Sequence, residues 1–176
     1  MDWTEALNVA FALTGWEYST SRANEAVTYF GEAASDALAM WVFFCPSLVA
    51  MGCLTDWLHK KKMGTLGGKK KITMTFKDII ELQNAHPGLV KTVFQRAGDC
   101  VTIPTGWAHQ VINLRPNIKV AWERVRRGHM ALYAIQLVKL TTRFFGRMAP
   151  DYVAIRKVMF EDVRRAYGEY TGRACM

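Results

Sequence analysis

The sequence predicts one α+β domain in which an antiparallel β-array is flanked by helices, and three observations support this fold class. The chain has 176 residues, 51% of them hydrophobic, which is enough to bury one sizeable core. Residues 91–125 form short runs rich in β-branched and aromatic residues, separated by Gly-Asp, Thr-Gly-Trp and Arg-Pro-Asn turns. The segments on both sides of this array have apolar residues at helical spacing.

The N-terminal part is predicted to be helical. Helices are expected over residues 2–13 and 21–29, and Ser21 and Glu25 lie near the start of the second one. This part carries no recognisable chemistry of its own.

An uncharged apolar segment follows at residues 37–54 and approaches the ~20 residues that a membrane-spanning helix needs. Pro46, Ser47 and Gly52 interrupt it. We therefore predict a buried strand that ends at Cys45 and a helix that begins at Pro46 or Ser47, and no membrane span.

Three further helices are expected. Thr75 and Asp78 have the spacing of a capping box, and a His-Pro-Gly sequence ends the helix that they begin. Helices over residues 128–145 and 150–167 follow the β-array. We expect a helical N-terminal extension at 1–34, a truncated β domain at 35–146 and a C-terminal helix at 147–176.

The alternating pattern of the β-array also predicts which side chains are buried. These are Val101, Ile103, Val111, Val120 and Trp122.

Cysteine usage and the N-terminus indicate an intracellular protein. Cys45, Cys53, Cys100 and Cys175 show no C-x-x-C spacing, so we expect reduced thiols. Asp2 and Glu5 stand where a secretory signal carries Lys or Arg.

The chain is basic, with a formal net charge of +8, which favours acidic partners without choosing among them. Two lysine triplets flank a glycine-bearing loop: Lys60, Lys61 and Lys62, then Lys69, Lys70 and Lys71. Such runs are usually solvated, and nonspecific contact with DNA phosphates through these triplets is the functional alternative.

The segment "GDCVTIPTGWAHQVINL", residues 98–114, contains one histidine, His109, just after a glycine turn. Taken alone, such a histidine is more often a hydrogen-bonded core residue than a metal ligand. Together with "IKVAWERV" at 118–125, however, the segment resembles the closing part of the Jumonji C (JmjC) domain. That family runs Gly-Asp, apolar, Ile-Pro, Gly, then His-Gln-Val, Asn-Leu and Lys-Val-Ala.

The resemblance extends to the branch of the family that demethylates lysine-9 of a histone tail, through "AMWVFF" at 39–44 and "HPGLVKTVFQRAGD" at 86–99. It implies a double-stranded β-helix of the jelly-roll or cupin type, Fe(II) and 2-oxoglutarate as cofactors, and a nuclear, chromatin-associated protein. By this resemblance His109 corresponds to the second histidine of an iron-binding triad of two His and one carboxylate.

The family's His-x-Asp/Glu motif, which supplies the other two ligands, is missing from this sequence. Anchored on "ASDALAMW" at 34–41, the ligand positions fall on Gly31 and Ala33, whose side chains bind no metal. Glu32 lies between them and is expected on the opposite strand face. Asp99 is expected to accept backbone hydrogen bonds in its turn.

Three functions stay open at this stage. The chain is a catalytically inactive JmjC relative that acts as a chromatin-associated binding module, or a working Fe(II)/2-oxoglutarate oxygenase with an unusual ligand set. The third alternative is a partial gene product without independent function.

Overall fold

The structure is a computed structural model of the chain and describes residues 5–13, 20–64, 72–104 and 107–124. Within these ranges the elements in chain order are β1 (Glu5–Ala12), α1 (Ser21–Phe30), a 3₁₀ helix (Gly31–Ala34), β2 (Ala39–Phe44), α2 (Leu48–Lys60), α3 (Phe76–Ala85), β3 (Val90–Gln95), β4 (Cys100–Ile103), β5 (Ala108–Asn113) and β6 (Asn117–Arg124). The helices expected at 128–145 and 150–167 lie outside the described residues.

The described strands form two antiparallel sheets of three strands each. Sheet I has the order β4-β1-β6, and sheet II has the order β3-β2-β5. The four strands predicted after residue 90 are therefore confirmed, and so is the α+β fold class.

The N-terminal segment is a strand, so the helix predicted over residues 2–13 is wrong where the structure describes it. β1 is the central strand of sheet I and pairs with β6 along its whole length. Its side chains alternate, with Ala6, Asn8 and Ala10 buried. Local apolar spacing did not reveal this, because the strands that pair with β1 lie far along the chain.

The central strand of sheet II, β2, is buried on both faces. Met40, Val42 and Phe44 belong to a core cluster shared with the helices. Trp41 and Phe43 point the other way and pack with residues of sheet I. A strand covered on both faces explains the uninterrupted apolar sequence.

Side-chain caps begin the helices. The Ser47 hydroxyl accepts a 3.1 Å hydrogen bond from the Ala50 amide, which confirms the predicted start of α2. Thr75 and Asp78 form the predicted capping box of α3. The N-cap of α1 is Thr20, one residue before the Ser21 that the sequence suggested.

Three of the five predicted core residues are not buried. Val101 and Ile103 are buried, but Val111, Val120 and Trp122 are 37%, 50% and 46% exposed. Val120 and Trp122 lie on the face of sheet I that points away from sheet II, and Val111 lies on the edge strand β5. A sheet covered on one face buries only every second residue.

The predictions of reduced cysteines and of no membrane span can both be compared with the described residues. Cys45, Cys53 and Cys100 are free thiols, and Cys175 lies outside the described ranges. None of the helices that the structure describes has the length and apolar character needed to cross a bilayer.

Candidate functional site

A cavity of about 310 Å³ lies between sheets I and II. We call it the inter-sheet cavity. Residues of five strands line it: Ala6, Asn8, Trp41, Ile103, His109, Val111, Ala121, Trp122 and Glu123. Mostly apolar walls with a few polar groups are typical of small-molecule sites.

His109 lies on β5, in register with Phe43 of β2, and borders this cavity. Its half-buried ring lies 6.0 Å from the Trp41 ring and 6.2 Å from the Phe43 ring, centre to centre. Its Nδ1 is 3.2 Å from the backbone oxygen of Trp107. A carbonyl oxygen only accepts, so this hydrogen bond requires a proton on Nδ1.

Asn8 is a cavity residue that sequence reasoning missed. It lies on β1, is 8% exposed, and its Oδ1 is buried without a hydrogen-bond partner. Most buried side-chain acceptors in folded proteins are paired, so an orphaned one needs an explanation. The alternation of Ala6, Asn8 and Ala10 is the sequence signal that locates it, once β1 is recognised as a strand.

Gln95 joins the two sheets beside the cavity and is fully buried. Its Oε1 accepts a 2.8 Å hydrogen bond from Nε1 of Trp41. Its Nε2 donates to the backbone oxygens of Asn8 and Asp99, at 2.8 Å and 3.0 Å. The Asp99 carboxylate accepts from the backbone amide of Arg96 at 2.8 Å, which confirms the turn role expected for Asp99.

The described lining of the cavity includes one acidic side chain, Glu123, which is exposed. Among the described residues that line it, Glu123 carries the one carboxylate and His109 the one imidazole, without a lysine or arginine. Lys119 contacts the wall, with its Nζ 5.3 Å from the centre of the Trp41 ring. That ammonium donates to Oδ1 of Asn113, and burial lowers the pKa of Lys119.

The residues predicted at the iron-ligand positions do not reach this cavity. Gly31 and Ala33 lie in the 3₁₀ helix and are exposed, so their expected place on a strand is corrected. Glu32 lies in the same 3₁₀ helix, so its expected place on the opposite face of a strand is also corrected. Its side chain is exposed. In the ranges that the structure describes, no group of three His, Cys, Asp or Glu side chains is placed to hold a metal ion. The described donors around His109 therefore do not fit an iron-binding triad.

The first lysine triplet is partly engaged with the protein. Lys61 forms an ion pair with Glu81, and its Nζ lies 5.3 Å from the centre of the Trp57 ring. Glu81 raises the pKa of Lys61, chiefly through this hydrogen bond. Lys60 is exposed at the end of α2, and the triplet at 69–71 lies outside the described residues.

Comparison with protein families links the middle of the chain to a known domain. Residues 56–123, less than half of the chain, match the family model described as JmjC domain, hydroxylase. The match includes Gln95, His109 and Glu123 but neither β1 nor β2. It supports the JmjC resemblance, and that family generally uses Fe(II) and 2-oxoglutarate. No curated protein matches the chain significantly.

Proposed function

Because residues 56–123 match the JmjC family model, we propose that this chain is a catalytically inactive JmjC-type domain that acts as a chromatin-associated binding module in the nucleus. Its sheets I and II form the walls of a partial double-stranded β-helix. The resemblance favours the branch of lysine-9 histone demethylases.

The surroundings of His109 carry the proposal. The ring packs beside Trp41 and Phe43, and the described lining of its cavity adds a single carboxylate. An Fe(II)/2-oxoglutarate oxygenase holds its metal with three protein ligands and keeps the remaining positions open for co-substrate and oxygen. The described residues supply too few ligands for that chemistry.

The catalytic part is tested with the whole chain. Anaerobic titration with Mn(II), a redox-inert substitute for Fe(II), is expected to show no specific site. Incubation with Fe(II), ascorbate, 2-oxoglutarate and a dimethylated or trimethylated lysine-9 histone peptide is expected to release no formaldehyde or succinate above a metal-free control. Release that His109→Ala abolishes would overturn the proposed inactivity.

The chromatin part has its own test. The net charge of +8 favours anionic partners, and reconstituted nucleosomes present both DNA and histone tails. We expect the chain to retard nucleosomes in gel-shift assays at low salt. Equal retardation of tailless nucleosomes and of free DNA would remove the histone tail from the proposal.

A second candidate is a working oxygenase with an unusual ligand set, and one observation favours it. His109 and Glu123 border the same cavity, which places an imidazole and a carboxylate at one site. This candidate predicts that Glu123→Gln abolishes Mn(II) binding. Glu32→Gln, at an exposed carboxylate of the 3₁₀ helix, is the control and should leave Mn(II) binding unchanged.

A further inference from the structure

We propose that a second copy of this chain pairs with the outer strand β6 in antiparallel orientation, with Ala121 opposite Ala121, so that sheet I continues across a symmetric dimer. The inference goes beyond the proposed function, because it uses the edge of a sheet and needs neither a metal nor a histone tail.

The outer edge of β6 is long and regular. Among the described strands β6 pairs with β1 alone, in a continuous register of eight residue pairs. It is the longest of the described outer strands, and neither a proline nor a bulge interrupts it. Such an edge presents a row of backbone N–H and C=O groups to a further strand.

The outer strand of sheet II differs, because a neighbouring segment is already bound to it. The side-chain amide of Gln110 on β5 donates a 2.8 Å hydrogen bond to the Met74 backbone oxygen and accepts one of 2.8 Å from the Met74 amide. We therefore place the second copy at β6.

The outward side of β6 suits an apolar, uncharged contact. Ile118, Val120 and Trp122 are 54%, 50% and 46% exposed. Arg124, which ends the strand, is paired with Glu5 at 2.9 Å. A chain with a net charge of +8 repels its own copy, so self-association is favoured where the contact surface is apolar or balanced in charge.

The inward side of β6 selects the register. Lys119, Ala121 and Glu123 share this side, because they pair with Ala10, Asn8 and Ala6, the residues of β1 that point inward. With Ala121 opposite Ala121, Lys119 of each copy lies opposite Glu123 of the other. Opposite charges in this relation stabilise a strand pair, whereas like charges destabilise it.

Other registers lose this complementarity. A shift of two residues places Lys119 opposite Ala121 or Asn117 opposite Glu123, and a shift of four places two lysines or two glutamates against each other. A shift of one residue would set inward side chains against outward ones. The charges therefore favour one alignment, and a strand of another sequence would leave both of them unmatched.

Both charged groups have hydrogen-bonding capacity for such a pair. Glu123 is exposed, and none of the ion pairs between described residues includes it. The ammonium of Lys119 has three N–H donors and gives one of them to Asn113.

The first test is sedimentation equilibrium of the full chain over a range of concentrations at low salt, which should show a monomer–dimer equilibrium. Lys119→Glu opposes two glutamates and Glu123→Lys opposes two lysines, each at two symmetry-related places, so each variant should weaken the dimer roughly tenfold. A monomer at every concentration, or open-ended aggregates, overturns the proposal.

Mixing the two variants gives the decisive result. A chain with glutamate at both positions matches a chain with lysine at both, so the equimolar mixture should recover dimers about as tight as those of the unaltered chain. Lys91→Glu on β3 and Glu32→Lys on the 3₁₀ helix make the same charge changes away from β6 and should leave the dimer unchanged. A mixture that stays monomeric overturns the proposed register.

A cysteine pair checks the register without altering any charge. Residues directly opposite in an antiparallel pair have Cα atoms about 4.5–5.5 Å apart, within the range of a disulfide. Ala121→Cys, treated with diamide as the oxidant, should therefore form a covalent dimer on a non-reducing gel. In Ile118→Cys the two new thiols would lie roughly 20 Å apart, so that variant should match the background of the unaltered chain.

Equal cross-linking of the two cysteine variants overturns the proposal. Circular dichroism and unfolding, measured at dilutions where the dimer has dissociated, confirm that each variant is folded. If a charge variant does not fold, the cysteine pair and the unaltered chain decide.

Discussion

The indole N–H of Trp41 donates a 2.8 Å hydrogen bond to Oε1 of Gln95, and the same amide reaches sheet I through the backbone oxygen of Asn8. A fully buried glutamine is unusual in a core of Met, Trp and Phe side chains. Here its donor and acceptor groups are paired, so its burial is compensated. The amide fixes the distance between the two walls of the inter-sheet cavity.

The first prediction concerns this amide. Gln95→Leu should lower the free energy of unfolding by about 2–4 kcal/mol, because the indole N–H and two backbone oxygens lose a partner in a buried place. Urea denaturation measures the loss. Asn84→Leu, at an exposed amide of α3, is the control and should change stability by less than about 0.5 kcal/mol. A cost of Gln95→Leu as small as that of the control would mean that water replaces the amide.

The second prediction concerns His109, which we expect to be dispensable for stability. Its ring is half-buried at the margin of a cavity, and its described hydrogen bond is 3.2 Å long. His109→Ala should therefore cost at most about 1 kcal/mol in thermal or urea unfolding. A loss near 3 kcal/mol would identify His109 as a core residue that holds the sheets together.

Local signals in the sequence predicted the elements whose determinants are local. The capping box of Thr75 and Asp78 and the Ser47 cap lie within one turn of the helices they begin, and their sequence positions were correct. β1 was mistaken for a helix because its identity depends on pairing with β4 and β6, which follow residue 99. Alternation within residues 5–12 is weak because Val9 and Phe11 are apolar on the outward face.

The site could be predicted only in part for the same reason. His109 was found from its sequence motif, and the structure places it beside a cavity. Asn8 and Glu123 come from strands at opposite ends of the described chain, and only the register of β1 against β6 makes them neighbours. The exposure of Val120 and Trp122 likewise depends on which face of sheet I is covered.

The third prediction uses Lys119, whose pKa is lowered because burial penalises its charged form. A lysine with a folded pKa below its unfolded value destabilises the fold at neutral pH, and this cost diminishes as pH rises from the folded toward the unfolded value. Lys119→Met should therefore be more stable than the unaltered chain at pH 7, with a smaller difference near pH 10. Urea denaturation at both pH values measures it.

Lys91→Met, at an exposed lysine of β3, is the matched control for Lys119 and should show no pH-dependent difference. If Lys119→Met is the less stable protein at pH 7, the contacts of Lys119 with Trp41 and Asn113 outweigh its desolvation.

The fourth prediction concerns the exposed pair of Asp36 and Arg96. Both carboxylate oxygens of Asp36 lie 2.8 Å from Nε of Arg96, and this hydrogen bond lowers the pKa of Asp36 below its ordinary value of 3.8. The pair's contribution to stability is present above that value and is lost as pH falls through the folded pKa. It is small because both groups are solvated.

Following the NMR signal of the Asp36 carboxyl carbon from pH 2 to pH 6 checks that the pKa of Asp36 is lowered. Arg96→Gln should move the titration upward, and Arg22→Gln, at an exposed arginine of α1, should leave it in place. An Asp36 midpoint that is the same in the unaltered chain and in Arg96→Gln would mean that the pair does not persist in solution.

The last prediction is that two lysines of the first triplet, Lys60 and Lys61, contribute differently to DNA binding. Lys60 is exposed at the end of α2, whereas Lys61 is paired with Glu81 and lies over Trp57. Each phosphate contact releases a counterion, so the slope of log K against log salt falls in magnitude by about 0.9 for each contact removed. Lys60→Gln should flatten the slope by about this amount, while Lys61→Gln should leave it nearly unchanged, because Glu81 already compensates that charge.

Fluorescence anisotropy with a labelled duplex between low and physiological salt measures both slopes. Equal flattening by the two variants would show that Lys61 leaves Glu81 to bind phosphate, and a slope that neither variant alters would make this end of α2 a solvated surface only.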